Sequence, residues 1–222
     1  MEKLIDELKR FEKNIKEVSN ETELQDLFDN LAPAFLYGGY IKVREDYKVY
    51  IKTVEFYFHS EKGNGIHDPI VYHRNGRDLE VAPYFPLMSL HAHSSGYDIA
   101  FESEMGKYRA SALIRSYEVI ANDGSYLKWE KINDSKDAKS MFKKYFDYRY
   151  NTQSSYLYTL LNGFPLGNSN IIEWVDSPRE SKINIGKPRH NVFQSKSELE
   201  YLPIKGKRCE RKWSFTREER VL

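Results

Sequence analysis

Residues 40–58 read YIKVREDYKVYIKTVEFYF and form the clearest strand pattern in the chain. A short link at Glu45-Asp46 separates two runs of alternating residues, which predicts an antiparallel hairpin. Strict alternation in the second run would place every other residue on one face: Tyr47, Val49, Ile51, Thr53, Glu55 and Tyr57. Glu55 would then lie on a largely apolar face, where an isolated carboxylate is costly to bury. This position makes Glu55 the first candidate for a functional residue.

The residues before the hairpin predict two helices. Apolar residues recur at helical spacing over residues 2–18, between charged residues, which indicates an amphipathic helix. Asn20 can cap a second helix, and Glu23 three positions later completes a capping-box-like pattern. We expect this second helix to break near Pro33, since proline removes a backbone donor and disrupts the helix interior.

The residues after the hairpin predict a long loop, two strands and two further helical stretches. Residues 60–86 are rich in glycine and proline and are typical of a functional loop. The segments GYDIAFES (96–103) and RASALIRSYEVI (109–120) predict strands that join near Met105-Gly106. Between residues 135 and 163 the apolar spacing predicts two helical stretches.

The order of these elements is not a regular alternation of strands and helices, so a doubly wound parallel sheet is not expected. It predicts a single α+β domain with a curved antiparallel β-sheet surrounded by helices. Within that unit we expect an N-terminal helical extension over residues 1–30 and the main domain over residues 31–222. A chain of 222 residues and 26.2 kDa fits one domain with a substantial core.

Composition narrows the class of protein. No run of about 18 apolar residues occurs, so a transmembrane helix is not expected. The N-terminus is charged and lacks the apolar region of a signal peptide. Cys209 is the single cysteine, which excludes an internal disulfide framework. We therefore expect a cytoplasmic protein without membrane association, and a net charge of +1 leaves room for a basic face that contacts phosphate.

Three segments resemble the methylpurine (alkyladenine) DNA glycosylases. Residues 31–60, LAPAFLYGGYIKVREDYKVYIKTVEFYFHS, are similar to the family's helix, glycine turn and hairpin, which ends in Val-Glu-x-Tyr. Residues 110–120, ASALIRSYEVI, resemble the family's strand ending in Leu-Leu-Arg-Ala-x-Glu, and residues 177–192 are similar to its Pro-Arg-x-Gly-Ile stretch. The resemblance implies the family's fold and a monofunctional hydrolase. Such an enzyme removes alkylated or deaminated purines from DNA in base-excision repair.

The resemblance also implies roles for individual residues. Glu55 would activate the attacking water and stabilise the oxocarbenium-like transition state, and Arg115 would hold the water and a phosphate oxygen. The purine flipped out of the duplex would be enclosed by Tyr57, His67 and His93. DNA contacts are implied for three arginines, Arg74, Arg77 and Arg179. The expected partner is DNA, the expected state is a monomer, and no cofactor or metal is implied.

Two observations leave other functions open. The family inserts a bulky side chain into the gap left by the flipped nucleotide, but this chain has Ser94-Ser95 at that place. An alternative is therefore a binding module on the same scaffold, which recognises a nucleobase, a nucleotide or a protein without catalysis. Imidazole and carboxylate groups can bind zinc, so a metal-dependent hydrolase is a third hypothesis, with these ligands: His67, His91, His93 and Asp98.

The key residues also have purely structural interpretations. Glu55 could simply pair with a lysine such as Lys42 or Lys52. Arg115 could form an ordinary salt bridge with Glu118 or Glu102.

Overall fold

The computed structural model shows the fold of the chain and describes most of its residues. The described residues are 3–43, 47–62, 65–71, 83–93, 96–121, 126–131, 164–165, 172–180, 182, 185–198 and 201–218. The helical stretches predicted between 135 and 163 lie outside them. No helix among the described residues has both the length and the apolar character needed to cross a membrane.

Two α-helices open the chain, as the apolar spacing predicts. Helix α1 spans Leu4–Asn14 and continues into a 3-10 turn, Ile15–Glu17, while helix α2 spans Glu21–Tyr37. The Asn20 side chain accepts hydrogen bonds from the backbone N–H groups of Thr22 and Glu23, both at 3.0 Å. The predicted N-cap is therefore confirmed, because this side chain satisfies two donors that lack intrahelical partners.

The predicted break at Pro33 is wrong. Helix α2 runs through this proline to Tyr37. The missing N–H deprives the carbonyl of Asp29 of its donor, but Asp29 is exposed, so solvent can reach that turn. Beyond the proline, Phe35 and Leu36 are fully buried in the core. Their burial outweighs the local preference of proline against a helix.

Nine described strands form one curled antiparallel sheet, a half-barrel. They are β1 (Gly39–Val43), β2 (Tyr47–Ser60), β3 (Ser89–His93), β4 (Gly96–Ala100), β5 (Tyr108–Ala121), β6 (Tyr126–Lys131), β7 (Phe164–Pro165), β8 (Ile172–Asp176) and β11 (Ser214–Thr216). The order is β7-β3-β4-β5-β2-β1-β8, with β6 also paired to β5 and β11 to β2. Strands β9 (Phe193–Ser195) and β10 (Pro203–Arg208) form a separate two-stranded ribbon. The α+β class, the 40–58 hairpin and the strands near 96–103 and 109–120 are thus confirmed.

The two long strands, β2 and β5, contain an irregularity that changes which side chains face the core. Their pairing register shifts between Ile51 and Val54. Before this point Val49 and Ile51 pack in the core with the helices, and after it Val54 and Phe56 do. The predicted strict alternation is therefore wrong, since an irregularity of this kind inverts the orientation of the residues that follow it.

The two faces of the sheet carry different side chains. The helix face packs against α1 and α2, with Phe28 stacked on Phe56 at 4.6 Å between ring centroids. The opposite surface, which we call the polar face, carries Glu55 and a smaller apolar cluster that includes Tyr57 and Leu113. Helix α1 buries its apolar side in the main core, and α2 extends across residue 30, so both helices form part of the helix face.

Candidate functional site

Glu55 lies buried on the polar face with three donor groups around its carboxylate. Its side chain is 1% exposed. Its Oε1 accepts a hydrogen bond from the backbone N–H of His190 at 2.8 Å, and its Oε2 accepts one from the Tyr57 hydroxyl at 3.3 Å. The Nε atom of Arg115 lies 3.7 Å from Oε2. These partners offset the cost of burying the carboxylate.

The pairing of β2 with β5 brings this carboxylate and guanidinium together. Glu55 is directly opposite Leu113, and Arg115 follows two residues later on β5. Directly opposed residues of an antiparallel pair point to the same face, which places the Glu55 and Leu113 side chains side by side. The Arg115 side chain is 8% exposed, and its Nε donates no hydrogen bond to another described residue. Its donor capacity is therefore available at the buried carboxylate.

The residues considered as purely structural partners of Glu55 and Arg115 bind other groups instead. Lys42 forms an ion pair with Glu173, and Lys52 donates to the backbone carbonyl of Glu218. The two carboxylates considered for Arg115 are each bound by another arginine: Glu118 by Arg217 at 2.8 Å and Glu102 by Arg109 at 3.2 Å. Of the pairings considered, the structure places Arg115 beside Glu55.

Tyr57 is held between Glu55 and a buried arginine. Its hydroxyl donates to Glu55, and the guanidinium of Arg189 lies over its ring at 4.5 Å from the centroid. Burial, and then the neighbouring Glu55 carboxylate, raise the pKa of Tyr57 well above its ordinary value. The phenol therefore remains a hydrogen-bond donor throughout the neutral pH range. The Tyr57 side chain is 6% exposed and packs with Leu113 and Val192.

Arg189 anchors the segment that closes over Glu55. The side chain is 1% exposed, binds Asp68 at 2.5 Å and donates to the carbonyl of Phe56 at 3.3 Å. Its guanidinium also lies 4.9 Å from the ring of Trp213, so it is enclosed between two aromatic rings. Because His190 follows directly, this anchor sets the position of the backbone N–H that binds Glu55.

His67 lies beside a cavity that Glu55 does not line. Its ring is 5.1 Å from the ring of His59, and it borders a cavity of about 380 Å³. Arg189 and Tyr201 also line this cavity, whose size falls within the range of small-molecule sites. Glu55, Tyr57 and Arg115 are not among its lining residues. Arg189 therefore borders the cavity on one side and contacts Tyr57 on the other.

His59 provides a pH-dependent contact near the site. Its Nδ1 accepts a hydrogen bond from the backbone N–H of Asp68 at 3.3 Å, which requires an unprotonated nitrogen. Burial, and then the neighbouring His67, lower the pKa of His59 below its ordinary value of 6.5. The unfolded chain therefore binds a proton more readily than the folded one. This stabilisation is complete above pH 6.5 and is lost as the pH falls towards the lowered value.

We therefore expect the free energy of unfolding to decrease more in the wild type than in His59→Asn between pH 7.5 and 5.5, by up to about 1 kcal/mol. Asparagine can offer an acceptor oxygen near the position of Nδ1 but does not titrate. Urea unfolding at the two pH values measures the difference. Equal losses in the two proteins would show that His59 is not the group responsible.

His91 and Asp98 extend the polar face away from Glu55. The register places Glu55 opposite Leu113, Leu113 opposite Asp98, and Asp98 opposite His91. The ring of His91 stacks on Phe85 at 3.6 Å, and its Nε2 lies 2.7 Å from the Ser89 hydroxyl. The side chain of His93 lies outside the described residues. Within the described part of the chain, no group of three or more potential ligands could hold a metal ion.

Of the three arginines expected at DNA, Arg179 is the one that the structure describes, and it does not contact Glu55. Arg74 and Arg77 lie outside the described residues. Arg179 packs its guanidinium over Tyr50 at 4.7 Å and donates to the carbonyl of Leu36 at 3.5 Å. Tyr50 is five residues from Glu55 on β2, about 16 Å along a strand. Burial, and then the charge of Arg217, lower the pKa of Arg179.

Sequence reasoning missed the residues that hold the site together. Asp68, Arg189, His190 and Trp213 each contact the cluster or its anchor, yet none was singled out. Arg189 lies in the 177–192 segment quoted for the family resemblance, and Asp68 follows the candidate His67. Only these two positions in the sequence could have drawn attention to Arg189 and Asp68. The pairing itself could not be seen, because the two residues are 121 positions apart in the chain.

The fold and the cluster define an α+β protein with a buried carboxylate–guanidinium centre on a half-barrel sheet. Comparison of the chain with protein-family models, with curated proteins and with solved structures finds no match.

Proposed function

We propose that this protein is a DNA N-glycosylase, with a fold like that of the methylpurine DNA glycosylases, that hydrolyses the bond between the sugar and an alkylated or deaminated purine. The observation that carries the proposal is the buried contact between Glu55 and Arg115. A carboxylate can activate the attacking water and stabilise positive charge on the sugar, and a guanidinium can hold the water and a phosphate oxygen in place. The resemblance at Val54-Glu55-x-Tyr57 and at Leu113-Ile114-Arg115 supports the same assignment.

In the proposed reaction, Glu55 accepts a proton from water as the water attacks the anomeric carbon. The purine leaves with the electron pair of the glycosidic bond, and the products are a free base and an abasic sugar. The negative carboxylate stabilises the positive charge that develops on the sugar. Arg115 orients the water and a phosphate oxygen through its guanidinium group, and no lysine nucleophile takes part.

Two neighbours prepare Glu55 for this role. The Tyr57 hydroxyl and the His190 N–H each donate to one carboxylate oxygen and so restrict its orientation. A carboxylate oxygen accepts more than one hydrogen bond, which leaves acceptor capacity for water. In the proposed enzyme the flipped purine would be enclosed by Tyr57, His67 and His93, and Tyr57, which is 6% exposed here, would have to become accessible to it.

The deciding experiment measures base release from oligonucleotides. Single- and double-stranded DNA containing a methylated purine or hypoxanthine is incubated with the protein and then treated with alkali, which cleaves the strand at abasic sites. We expect cleavage by the wild type and a loss of about 100-fold in Glu55→Gln, since a general base contributes at least that factor. Glu173→Gln, at a half-exposed ion pair on β8, is the matched control and should retain activity.

Circular dichroism and thermal unfolding would establish that both variants are folded. Equal strand cleavage by the wild type and Glu55→Gln, or no cleavage by the wild type on any of these substrates, would contradict the proposed activity.

A second candidate function is a binding module that recognises a nucleobase or nucleotide, or a protein, without catalysis. The observation that favours it is the position of Arg189, which covers one face of Tyr57 while bordering the cavity beside His67. In this case Glu55→Gln should retain full ligand affinity and the wild type should release no base. Measurable base release by the wild type would exclude this candidate.

A further inference from the structure

The β9–β10 ribbon carries a concentrated positive charge that the proposed site does not use. Residues 193–208, from the start of β9 to the end of β10, contain four basic and two acidic residues, a net charge of +2, while the whole chain carries +1. The basic residues on β10 are Lys205, Lys207 and Arg208, and all three are exposed. None of these three forms an ion pair with another residue in the described part of the chain. Among the described residues, these three charges are therefore unpaired, and they are open to solvent.

The backbone of β10 is irregular near its centre. Its pairing with β9 shifts in register between Pro203 and Arg208. Gly206 lies inside this shift with a φ of 83°, and no atom lies within 4 Å of the place a Cβ would occupy. A positive φ is readily adopted by glycine, which permits a local bulge. The side chains of Lys205 and Lys207, on either side of Gly206, are both exposed.

The ribbon begins beside the Glu55 cluster. The backbone N–H of His190 binds Glu55, and Val192 packs with Tyr57 and Leu113. The next residue, Phe193, starts β9 and pairs with Arg208. The three-residue step from His190 to Phe193 includes a turn at Asn191, where φ is 54°, so it spans at most about 10 Å. A phosphate held by the ribbon would therefore lie within a few nucleotides of the carboxylate.

We propose that the β9–β10 ribbon binds the phosphate backbone of nucleic acid through Lys205, Lys207 and Arg208. The cationic charge without a broad apolar surface fits a polyanion, since phosphate contacts dominate nucleic-acid affinity. The 380 Å³ cavity shares Phe193, Ser195 and Tyr201 with the ribbon and its connection, so a bound strand would pass its opening. This inference deepens the proposed function, because it names the surface that holds the DNA.

The test compares the affinity of DNA for the full chain and for the triple variant Lys205→Gln/Lys207→Gln/Arg208→Gln. The probes are a fluorescent 21-base-pair undamaged duplex and its single strand, and anisotropy is followed over a series of salt concentrations. We expect the variant to bind about tenfold or more weakly at low salt. The slope of log K against log salt should decrease in magnitude by about 2 to 3, since each lost phosphate contact removes about 0.7 to 0.9.

The matched control is Lys3→Gln/Lys9→Gln/Lys13→Gln, which removes the same charge from exposed positions at helix α1, on the opposite side of the sheet. It should leave the salt slope unchanged. Equal weakening by both variants, or no binding of either probe by the wild type, would overturn the proposal. Binding to vesicles of anionic phospholipid that depends on the ribbon, without binding to DNA, would also overturn it.

The DNA-binding test of the ribbon does not depend on whether the protein releases bases. If base release fails while the ribbon still governs DNA binding, the proposed activity is wrong and the ribbon assignment stands. If base release depends on Glu55 while the triple variant binds normally, the ribbon assignment is wrong and the activity stands.

Discussion

Replacing Arg189 with methionine should lower the free energy of unfolding by about 3–5 kcal/mol, because it leaves the carboxylate of Asp68 buried without its main partner. Arg189 is 1% exposed and Asp68 is 3% exposed, and they lie 2.5 Å apart. The remaining cation near Asp68, Arg211, is 3.9 Å away and is also bound to Glu21. Arg211 therefore compensates only part of the lost charge.

Urea unfolding followed by circular dichroism measures this loss. Arg10→Met is the matched control, since its ion pair with Glu7 is exposed and should contribute less than about 1 kcal/mol. The double variant Arg189→Met/Asp68→Leu should recover part of the stability, because no uncompensated charge stays buried. A loss of less than about 1 kcal/mol in the single variant would contradict the view that this pair anchors the 187–192 segment.

The local features of the fold could be predicted from the sequence. Asn20 lies before a helical repeat and satisfies the first N–H groups of α2 through contacts only two and three residues away. The 40–58 hairpin depends on alternation and a short link, which are also local. Such features require no knowledge of the rest of the chain, and this is why they could be found.

The predictions that were wrong concern features that depend on tertiary structure. Proline at position 33 opposes a helix, but burial of the turn that follows outweighs it. The irregularity near Thr53 involves both β2 and β5, so β2 alone cannot reveal it. Its consequence for the site is direct: Glu55 lies on the opposite face from Val49 and Ile51, which strict alternation had placed beside it.

In the candidate site, too, some residues could be identified from local sequence and others could not. Glu55 and Arg115 were identified because each lies in a short segment with a family-like pattern, and the sheet register brings them together. The Arg189–Asp68 pair could not be identified in that manner, because the free energy of a buried ion pair depends on its surroundings, which no local pattern encodes.

Replacing Phe28 with alanine should lower the free energy of unfolding by about 3–5 kcal/mol, since it leaves a cavity at the junction of both helices and the sheet. Phe28 is fully buried and stacks on Phe56 at 4.6 Å and on Phe11 at 5.7 Å. Leu27→Ala, at the neighbouring and only partly buried position on α2, is the matched control and should cost about half as much or less. Chemical unfolding of both variants measures the difference, and equal losses would contradict this account of the core.

The effect of Phe28→Ala on stability should also depend on Arg189, because both residues contact Trp213. The ring of Trp213 contacts Phe28 at 5.2 Å, and the guanidinium of Arg189 lies 4.9 Å from it. Substitutions that share a partner are generally not additive, so we expect a coupling free energy of about 0.5–1 kcal/mol between Phe28→Ala and Arg189→Met. A double-mutant cycle measures it, and additive losses would show that the two faces are independent. Coupling would mean that packing of helix α2 helps to set the position of Arg189, and through it the N–H group of His190 that binds Glu55.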